Sequence, residues 1–382
     1  MSEWKKVKLG EICERVTSGG TPKANVSSYY NPPTIPWLKT KEVNYCRITE
    51  TENYISEEGL KNSSAKIISP NSVIIAMYGQ GDTAGRVAIN KIPLATNQAC
   101  CNLTIDKSKA DYEFIYYQLC TLYDKLVSLK AGAAQPNLNA RIIKNLEIIM
   151  PSLPTQHRIA TIRSRYDSLI ENYQKQIKLL GEAAQRLYKE WFIDLHFPRH
   201  ENTNIIDGVP EGWEKKKVGD ITPIITGKKD ANFGTPDGEY PFFTCSQEPI
   251  KAPSFSFDCA AVLLAGNGDF NVKLYRGRFE AYQRTYVLSP YIDSHLYLLF
   301  YTISANMTKL AAGSSGSTIK FLTKGMIDGI NLNVPNDEIL RSFNKKVEPI
   351  QSSRESLQSQ LRLLTEARDR LLPKLMSGEI TI

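Results

Sequence analysis

The chain has 382 residues, of which 42% are hydrophobic and 23% charged, and its formal net charge is +7. These values are typical of a soluble globular protein with more than one domain. No run approaches the roughly 20 apolar residues of a transmembrane helix, and the first residues lack the apolar core of a secretory signal. The mild excess of positive charge favours a polyanionic partner without identifying one.

Cysteine and histidine usage argues against several kinds of site. The chain has seven cysteines and no Cys-x-x-Cys pair, which is typical of reduced thiols in a cytoplasmic protein. Its four histidines are scattered, with neither metal-ligand spacing nor a serine or cysteine partner. The sequence therefore predicts no metal, no cofactor and no catalytic residue.

Residues 1–152 are predicted to form a first domain of mixed α/β type. Short apolar strands at 73–78, 96–103 and 146–150 alternate with Gly, Pro and Asn clusters, and one helix is expected over 110–129. The loop Asn31-Pro32-Pro33-Thr34 resembles a methyltransferase motif, but threonine stands where an aromatic residue would stack on a base, which favours a plain proline turn.

The segment 153–195 is predicted to be one long helix. Its apolar residues step by three and four with a polar gap at Gln176, which is the pattern of a coiled-coil seam. The patterned run within it, 154–192, has roughly 38 residues and spans roughly 57 Å at ~1.5 Å per residue, so its stripe needs a partner of equal length. The predicted seam residues are Ile159, Ile162, Tyr166, Leu169, Tyr173, Leu180, Ala183 and Leu187.

After a linker at 196–212, the pattern starts again. A second domain is predicted over 213–335, with a strand near 262–268 and a helix over 295–310, and a second long helix with its tail over 336–382. The seam of that helix is predicted to be Phe343, Val347, Ile350, Leu357, Leu361, Leu364, Leu371 and Leu375, with Arg354 and Arg368 as its breaks.

The two halves share several landmarks. Trp4-x4-Leu9-Gly10 corresponds to Trp213-x4-Val218-Gly219, and Gly132-Ala133-Ala134 to Gly313-Ser314-Ser315. The helix motif Leu179-Leu180-x-Glu182-Ala183 recurs as Leu363-Leu364-x-Glu366-Ala367. The sequence therefore predicts a tandem duplication, with two similar α/β domains, two antiparallel helices and pseudo-two-fold symmetry. Such a helix pair would bring Met1 and Ile382 to the same side of domain one.

This organisation resembles the specificity (S) subunit of Type I restriction-modification systems. The resemblance covers essentially the whole chain and includes five motifs: Ser18-Gly19-Gly20-Thr21-Pro22, Ile35-Pro36-Trp37, Thr96-Asn97-Gln98, the helix end Arg186 to Phe192, and Leu371 to Ile380. In the second domain Thr226-Gly227-Lys228-Lys229 replaces the first of these motifs.

The resemblance implies a non-catalytic subunit that binds double-stranded DNA. Each domain would read one half of a bipartite site, and the helices would set the spacing and dock two methyltransferase subunits, with restriction (translocase) subunits added in the full complex. A coiled-coil adaptor whose end domains bind protein is the alternative. A stand-alone nuclease or methyltransferase is disfavoured, because acidic metal clusters and a cofactor loop are missing from the sequence.

Candidate DNA contacts follow from side-chain chemistry. Gln80 can pair with adenine in the major groove, Arg86 can hold a phosphate, and Asn267 marks the corresponding turn of the second domain. Asn97 and Gln98 suit base reading and scaffold hydrogen bonding equally. Further basic candidates, each with solvated charge as the alternative, are Lys39, Lys41, Lys228, Lys229, Arg276, Arg278 and Arg284.

Trp191 and Phe192, at the end of the first long helix, are predicted to pack locally against a domain, with a partner-subunit contact as the alternative.

Overall fold

The structure, a computed structural model, describes residues 4–130, 137–314 and 320–380. The chain divides into two units, unit 1 with residues 1–172 and 361–382, and unit 2 with residues 173–360. Each unit contains one α/β domain and one end of each of two long helices. Gly132-Ala133-Ala134, residues 315–319 and both chain termini lie outside the described residues, although Trp4 lies against Gly378 in unit 1.

The first domain contains two main sheets. A five-stranded sheet has the order β2-β10-β7-β8-β4, and a four-stranded sheet has the order β5-β3-β9-β6, while β1 pairs with β11. The strands are β1 Lys5–Lys8, β2 Cys13–Ser18, β3 Ile35–Leu38, β4 Cys46–Ile48, β5 Tyr54–Ile55, β6 Ile67–Ile68, β7 Val73–Ala76, β8 Val87–Asn90, β9 Leu94–Thr96, β10 Cys100–Ile105 and β11 Glu147–Met150.

The helices of this half are α1 Glu57–Lys61, α2 Tyr112–Thr121, α3 Tyr123–Ser128, α4 Ala140–Lys144 and the long α5 Leu153–Tyr188, which ends in a π-helical turn over Lys189–Ile193.

The second domain repeats the main sheet. Its six strands have the order β15-β20-β18-β19-β16-β17, and β14 pairs with β21 as β1 pairs with β11. The elements are β12 Ile205–Ile206, β13 Val209–Pro210, β14 Glu214–Lys217, α6 Val218–Ile221, β15 Ile224–Thr226, β16 Tyr240–Phe243, β17 Ile250–Ala252, β18 Phe257–Ala265, β19 Val272–Ala281, β20 Thr285–Leu288, α7 Leu296–Gly313, α8 Lys324–Asp328, β21 Asn331–Val334 and α9 Asp337–Ser377.

Sheet topology confirms the predicted duplication of a mixed α/β domain. In both main sheets the fourth and fifth strands pair in parallel, β8 with β4 and β19 with β16, while the preceding pairs are antiparallel. The four-stranded sheet of the first domain is replaced in the second by β17 at the sheet edge. From α2 to α5 and from α7 to α9 the two halves align at a constant offset, so that Tyr117 corresponds to Tyr301.

Two predicted elements of the first domain are divided. The helix expected over 110–129 breaks at Leu122 into α2 and α3, and the strand expected over 96–103 is interrupted by a turn at 97–99 between β9 and β10. Around Leu122 the apolar composition continues through the change of direction, and at 97–99 only the pair Asn97-Gln98 interrupts it. In both places the residues on each side are buried in one core. Composition alone therefore did not show the breaks.

The long helices pack antiparallel within each unit, as predicted. In unit 1, Ile159 near the start of α5 shares a core with Leu375 near the end of α9, and Asp167 lies near Arg368. In unit 2, Gly181 lies beside Arg354, and Trp191 beside Phe343. Within each unit, higher residue numbers on α5 therefore contact lower residue numbers on α9.

Three predicted features of the α5 seam are wrong. Leu169 is 43% exposed, and its neighbour Ile170 is buried instead. Ala183 is exposed while Ala184 is buried.

The expected gap at Gln176 is filled by the half-buried Ile177. Because a stripe can step by three or four, adjacent apolar residues such as Leu169 and Ile170 fit the pattern equally well. The packing of each unit selected between them. The other predicted α5 residues and all those on α9 are buried or half-buried, and they are Ile159, Ile162, Tyr166, Tyr173, Leu180, Leu187, Phe343, Val347, Ile350, Leu357, Leu361, Leu364, Leu371 and Leu375.

Candidate nucleic-acid interface

A cleft in the first domain brings together two of the residues singled out in the sequence. It has a volume of about 500 Å³, opens to solvent, and is lined by Lys39 and Asn97 together with Thr21, Tyr30 and Trp37. The neighbouring Gln98 is exposed, and its amide oxygen accepts a hydrogen bond from the Thr21 hydroxyl. The cleft therefore offers aromatic faces, one cation and amide groups, which suits contact with a nucleotide.

In both domains a glycine directly follows the first strand of the main sheet, Gly19 after β2 and Gly227 after β15, and in both the backbone leaves no room for a side chain there. A Cβ atom on Gly19 would lie 2.1 Å from the carbonyl oxygen of Thr96, and one on Gly227 would lie 1.9 Å from that of Ala281. Both distances are impossible for a side chain. The two glycines place the following residues against the next loop, so Thr226-Gly227-Lys228-Lys229 keeps the backbone approach of the first domain despite its different sequence.

The lysines after Trp37 have partners within the domain. The Lys39 ammonium lies 2.9 Å from the Asn53 side-chain oxygen and 5.0 Å from the centre of the Trp37 ring. Lys41 is largely exposed and forms an ion pair of 3.4 Å with Glu52. A surface pair of this kind contributes about 0–1 kcal/mol, so a phosphate can compete for Lys41 more easily than for Lys39.

The turn at 79–86 presents one of its two predicted contacts to solvent. Gln80 is exposed at the tip. The Arg86 guanidinium instead donates to Asp82, at 2.5 Å, and to the Asn44 side chain, at 3.0 Å. The predicted phosphate contact of Arg86 therefore competes with an existing role, because these hydrogen bonds hold the turn together.

In the second domain, hydrogen bonds tie four loops together. The Gly266 amide donates to the Arg284 carbonyl at 2.7 Å, and the Gln283 amide donates to the Lys229 carbonyl at 2.9 Å. Lys228 and Arg284 are exposed, and the Lys229 ammonium lies 4.3 Å from the centre of the Phe233 ring. Asn267, in the turn after β18, pairs through its backbone with Phe321. Lys228, Lys229, Asn267 and Arg284 thus belong to one connected loop cluster.

Arg276 and Arg278 lie elsewhere, along β19. The guanidinium of Arg276 lies 5.2 Å from the centre of the Tyr297 ring. That of Arg278 lies 3.1 Å from an Asp258 carboxylate oxygen and 5.0 Å from the centre of the Phe255 ring. Both side chains are exposed, but their positions on the strand do not join them to the loop cluster.

Sequence reasoning missed two members of the loop cluster. The Lys273 ammonium donates to the Asn271 side-chain oxygen, in the same turn as Asn267, and to the Ser246 carbonyl at 2.8 Å. Burial lowers the pKa of Lys273 below the ordinary lysine value. Gln283 donates its side-chain amide to Asp230. Gln283 was adjacent to the predicted Arg284, so its amide was the available signal, whereas Lys273 lies inside an alternating strand and gave none.

Trp191 and Phe192 lie in the interior of unit 2. Trp191 and Phe192 contact Phe343 of α9, with ring centres 5.9 Å and 4.8 Å away, and Phe192 also contacts Trp213 at 5.6 Å. The side chains are 4% and 5% exposed. Local packing, the first of the two readings, therefore describes them.

Among the described residues, no group of three or more His, Cys, Asp and Glu side chains could hold a metal ion. Burial raises the pKa of the Cys101 and Cys120 thiols to about 12. Within the same ranges, no helix is both long and apolar enough to cross a membrane.

Comparison with known proteins gives a consistent result. The family model described as the Type I restriction modification DNA specificity domain matches residues 1–180 and again 210–353. The chain belongs to this Type I specificity family. The two matches fall on the two halves of the duplication, so each half is a family domain in its own right.

Individual relatives support the family assignment. The chain is 28% identical over 416 residues to the MjaIX specificity subunit of Methanocaldococcus jannaschii, covering 100% of this chain and 94% of that protein. It is 36% identical over 177 residues to the EcoDI specificity subunit of Escherichia coli, covering 45% and 40%. The crystal structure of a Type I S subunit from M. genitalium shares the fold, with a TM-score of 0.72 at 17% identity over 98% of this chain and 96% of that one.

Membership in the Type I specificity family decides between the classes considered from the sequence. Specificity subunits are the non-catalytic, DNA-recognising members of Type I restriction-modification systems. The chain is therefore a specificity subunit, and the enzyme reading does not apply. Its candidate DNA contacts remain predictions, because family membership does not identify the residues that touch DNA.

Proposed function

We propose that each domain of this specificity subunit reads one half of a bipartite site in double-stranded DNA, and that the helices set the gap and dock two methyltransferase subunits. Restriction (translocase) subunits would join in the full complex. The observation that carries this proposal is the duplication itself. Two domains with one strand order present different loop residues, Gln80 in one and Asn267 in the other. A common frame with different loops is how one fold reads two sequences.

The docking part of the proposal is supported by an unusual pattern of identity between the two helices. At the constant offset, the seam positions are only partly conserved: Ile170 corresponds to Arg354 and Ala184 to Arg368, whereas Leu180 and Leu187 correspond to Leu364 and Leu371. Between residues 168 and 186, eight of the thirteen positions that are exposed in both helices carry the same residue. The identical exposed pairs are Ser168 and Ser352, Glu171 and Glu355, Gln174 and Gln358, Gln176 and Gln360, Leu179 and Leu363, Glu182 and Glu366, Ala183 and Ala367, and Arg186 and Arg370.

Folding does not require the two helices to carry identical residues on their exposed sides, since exposed helix positions tolerate most substitutions. At ~100° per residue, Leu179, Glu182 and Arg186 fall on one stripe opposite the seam. Leu179 and Leu363 are 52% and 58% exposed. Two copies of one outward stripe, each with an apolar centre, suit two copies of one partner protein, which matches two methyltransferase subunits.

The primary experiment is to express the chain with its methyltransferase subunits and to map the methylated adenines of the host by long-read sequencing. We expect a split, asymmetric motif with an unread gap, because the two domains carry different loops. A continuous or fully palindromic motif would contradict the bipartite reading. A gel-shift titration of the complex over a range of salt should also show falling DNA affinity, which an adaptor that binds only protein would not show.

The spacing role is tested by matched insertions. Seven residues added after Gln174 and seven after Gln358, equivalent exposed positions of the two repeats, keep the heptad phase and add ~10 Å to each helix. The gap should grow by about three base pairs, with weaker modification, because that change also rotates one half-site by roughly 100°. An unchanged gap at full activity would mean that the helices do not set it.

The docking role is tested by comparing exposed positions. Leu179→Glu with Leu363→Glu should leave the chain folded and abolish co-purification with the methyltransferase subunit, because the charges fall in the outward stripe. The control, Leu169→Glu with Ser353→Glu, introduces the same charges at exposed positions at which the repeats differ and which lie about 80–140° around the helix from the stripe. Loss of binding in both pairs, or in neither, would contradict the assignment of this stripe.

A further inference from the structure

A buried cluster of charges in unit 1 joins the sheet of the first domain to the long helices. Its centre is Arg47 on β4, the last strand of the five-stranded sheet. One guanidinium nitrogen donates to the Tyr117 hydroxyl at 2.7 Å and to Glu113 at 3.2 Å, both on α2. The other lies 3.5 Å from Asp167 and 3.4 Å from Glu171, both on α5. One side chain on β4 thus contacts two helices, α2 and α5, at once.

The carboxylate of Asp167 receives further hydrogen bonds. The Tyr117 hydroxyl donates to it at 2.8 Å, and Arg163 of α5 donates to its other oxygen. Arg368 of α9 lies 3.7 Å from that second oxygen. The side chains of Arg47 and Asp167 are each only 13% exposed. The cluster therefore reaches from the sheet edge through α2 to both long helices of unit 1.

Unit 2 has a different arrangement at the equivalent place. Tyr301 corresponds to Tyr117 and Gln351 to Asp167, and the Gln351 amide donates to the Tyr301 hydroxyl. Arg163 and Arg368 correspond to Val347 and Ala184, both fully buried. At these three positions unit 2 has neither the carboxylate nor the two arginines, although Arg354 of α9 donates to the Gln351 side-chain oxygen at 2.9 Å. Folding of the shared frame therefore does not require the ion pairs of unit 1.

We infer that Arg47 is a positioning residue for DNA reading by the first domain. Its planar guanidinium fixes the angle between β4 and α5, and through that angle the loops that face DNA. The inference rests on the proposed bipartite function. Apolar side chains can shift against each other at little cost. A planar guanidinium that is hydrogen-bonded to α2 on one side and to α5 on the other holds the two helices in one orientation. Replacing buried ion pairs by apolar residues is often neutral for stability. A role in orienting β4 and α5 therefore explains the presence of these charges better than a contribution to stability does.

The decisive variant copies unit 2 into unit 1. It combines Asp167→Gln, Arg163→Val and Arg368→Ala, the residues found at the equivalent positions, with Arg47→Met. Because the exchanged contacts already pack in unit 2, this variant should fold and melt close to the unchanged chain. Its matched control is Tyr301→Phe, which removes the corresponding hydroxyl from unit 2.

The readout is discrimination at each half-site, measured with the complex that contains the methyltransferase subunits. The affinity for the cognate duplex is divided by that for a duplex with one half-site scrambled, which gives one ratio for each half-site. In the copied variant one ratio should fall about ten- to a hundredfold and the other should stay unchanged. Tyr301→Phe should leave that sensitive ratio unchanged. A role in folding alone would lower the melting temperature without singling out one half-site.

The outcomes separate the inference from the proposed function. If the unchanged complex discriminates at neither half-site, the proposed function fails. If it discriminates at both, and the folded variant keeps both ratios or loses them equally, the positioning role is overturned. Should the copied variant not fold, Arg47→Lys decides, since an ammonium keeps the charge but not the fork. It should lower the same single ratio by a smaller factor, and an unchanged ratio would overturn the role.

Discussion

In unit 1 the Tyr117 hydroxyl donates to a carboxylate, that of Asp167, whereas in unit 2 its counterpart Tyr301 accepts from an amide, that of Gln351. Around this shared pair, unit 1 has a cluster of ion pairs. Unit 2 has apolar residues, neutral hydrogen bonds such as that between Tyr188 and Thr302 at 3.0 Å, and a single arginine, Arg354, that donates to the Gln351 oxygen at 2.9 Å. The difference teaches that a duplicated frame constrains the positions of contacts more strictly than their chemistry. Equivalent substitutions should consequently lower the stability of the two units by different amounts.

The largest difference is expected at Asp167 and Gln351. Asp167→Ala leaves Arg47 and Arg163 buried without their shared carboxylate, which should cost about 3–5 kcal/mol. Gln351→Ala removes the hydrogen bonds to Tyr301 and Arg354 but breaks no ion pair, and it should cost about 1–3 kcal/mol. Hydrogen exchange of α2 and of α7 measures each effect in its own unit. Equal losses for the two variants would mean that the charges in unit 1 add nothing to the shared frame.

The two tyrosines provide a smaller and more closely matched pair. Tyr117→Phe removes a hydroxyl that bonds to a guanidinium and a carboxylate, so about 1.5–3 kcal/mol should be lost. Tyr301→Phe removes a hydroxyl bonded to a neutral amide and should cost about 0.5–1.5 kcal/mol. Denaturant unfolding monitored by exchange in each unit decides the order, and the reverse order would contradict the charged-against-neutral comparison.

The loops should differ in which half-site they serve. Gln80→Ala and Asn267→Ala should each lose ~1–3 kcal/mol of binding on one half-site, and not on the same one. Lys41→Ala, which removes an exposed charge, is the control and should weaken binding to all duplexes while reducing the salt slope by about one. If Gln80→Ala reduces binding to cognate and random duplexes equally, it does not read a base.

The smallest effect concerns pH. At the start of α7, burial and then Lys216 lower the pKa of His295 below its ordinary value, with Asp337 opposing. The equivalent Asp111 instead caps α2, accepting from the amides of Glu113 and Phe114 at 2.9 Å and 3.0 Å. As pH falls through the ordinary histidine pKa, the unfolded chain takes up the proton more readily, so unit 2 should lose stability. Above that pH the contribution is fully present.

This acid sensitivity is measured by melting the chain at about pH 7.5 and about pH 5.5. The His295→Asn variant should lose part of the shift, whereas His157→Asn, at an exposed position of unit 1, should not. An identical shift in the unchanged chain and in His295→Asn would remove His295 as the cause.

Much of the architecture could be predicted because it depends on local periodicity. Runs such as Phe343, Val347 and Ile350 identify a helix with one apolar stripe, and a second copy supplies the partner that the stripe requires. The paired landmarks Trp4 and Trp213 showed the duplication without any knowledge of strand order. The Gly-Gly and Asn-Gln motifs were two of the five on which the family resemblance was based, and each is a short run of neighbouring residues.

The candidate site was harder to predict, because exposed charges look alike in a sequence. Arg86 and Lys41 were equal candidates, yet Arg86 is engaged with Asp82 and Asn44, while Lys41 has only a surface ion pair. Lys273 joined the loop cluster unpredicted, because a lysine in an alternating strand reads as solvent-facing. Which of these residues touch DNA stays a prediction for the binding experiments.

The sequence by itself determined the order of domains and helices, the antiparallel seam and the family, because periodicity, repetition and motif spacing are properties of neighbouring residues. Only the tertiary structure decided that Ile170 and not Leu169 enters the seam, and that Arg368 is part of an ionic cluster rather than a break in the stripe. A buried charge depends on partners distant in the chain: Arg47, Tyr117, Asp167 and Arg368 come from a strand and three helices. Burial of such groups is tolerated only where their hydrogen bonds and opposite charges converge, and that convergence exists only in the folded chain.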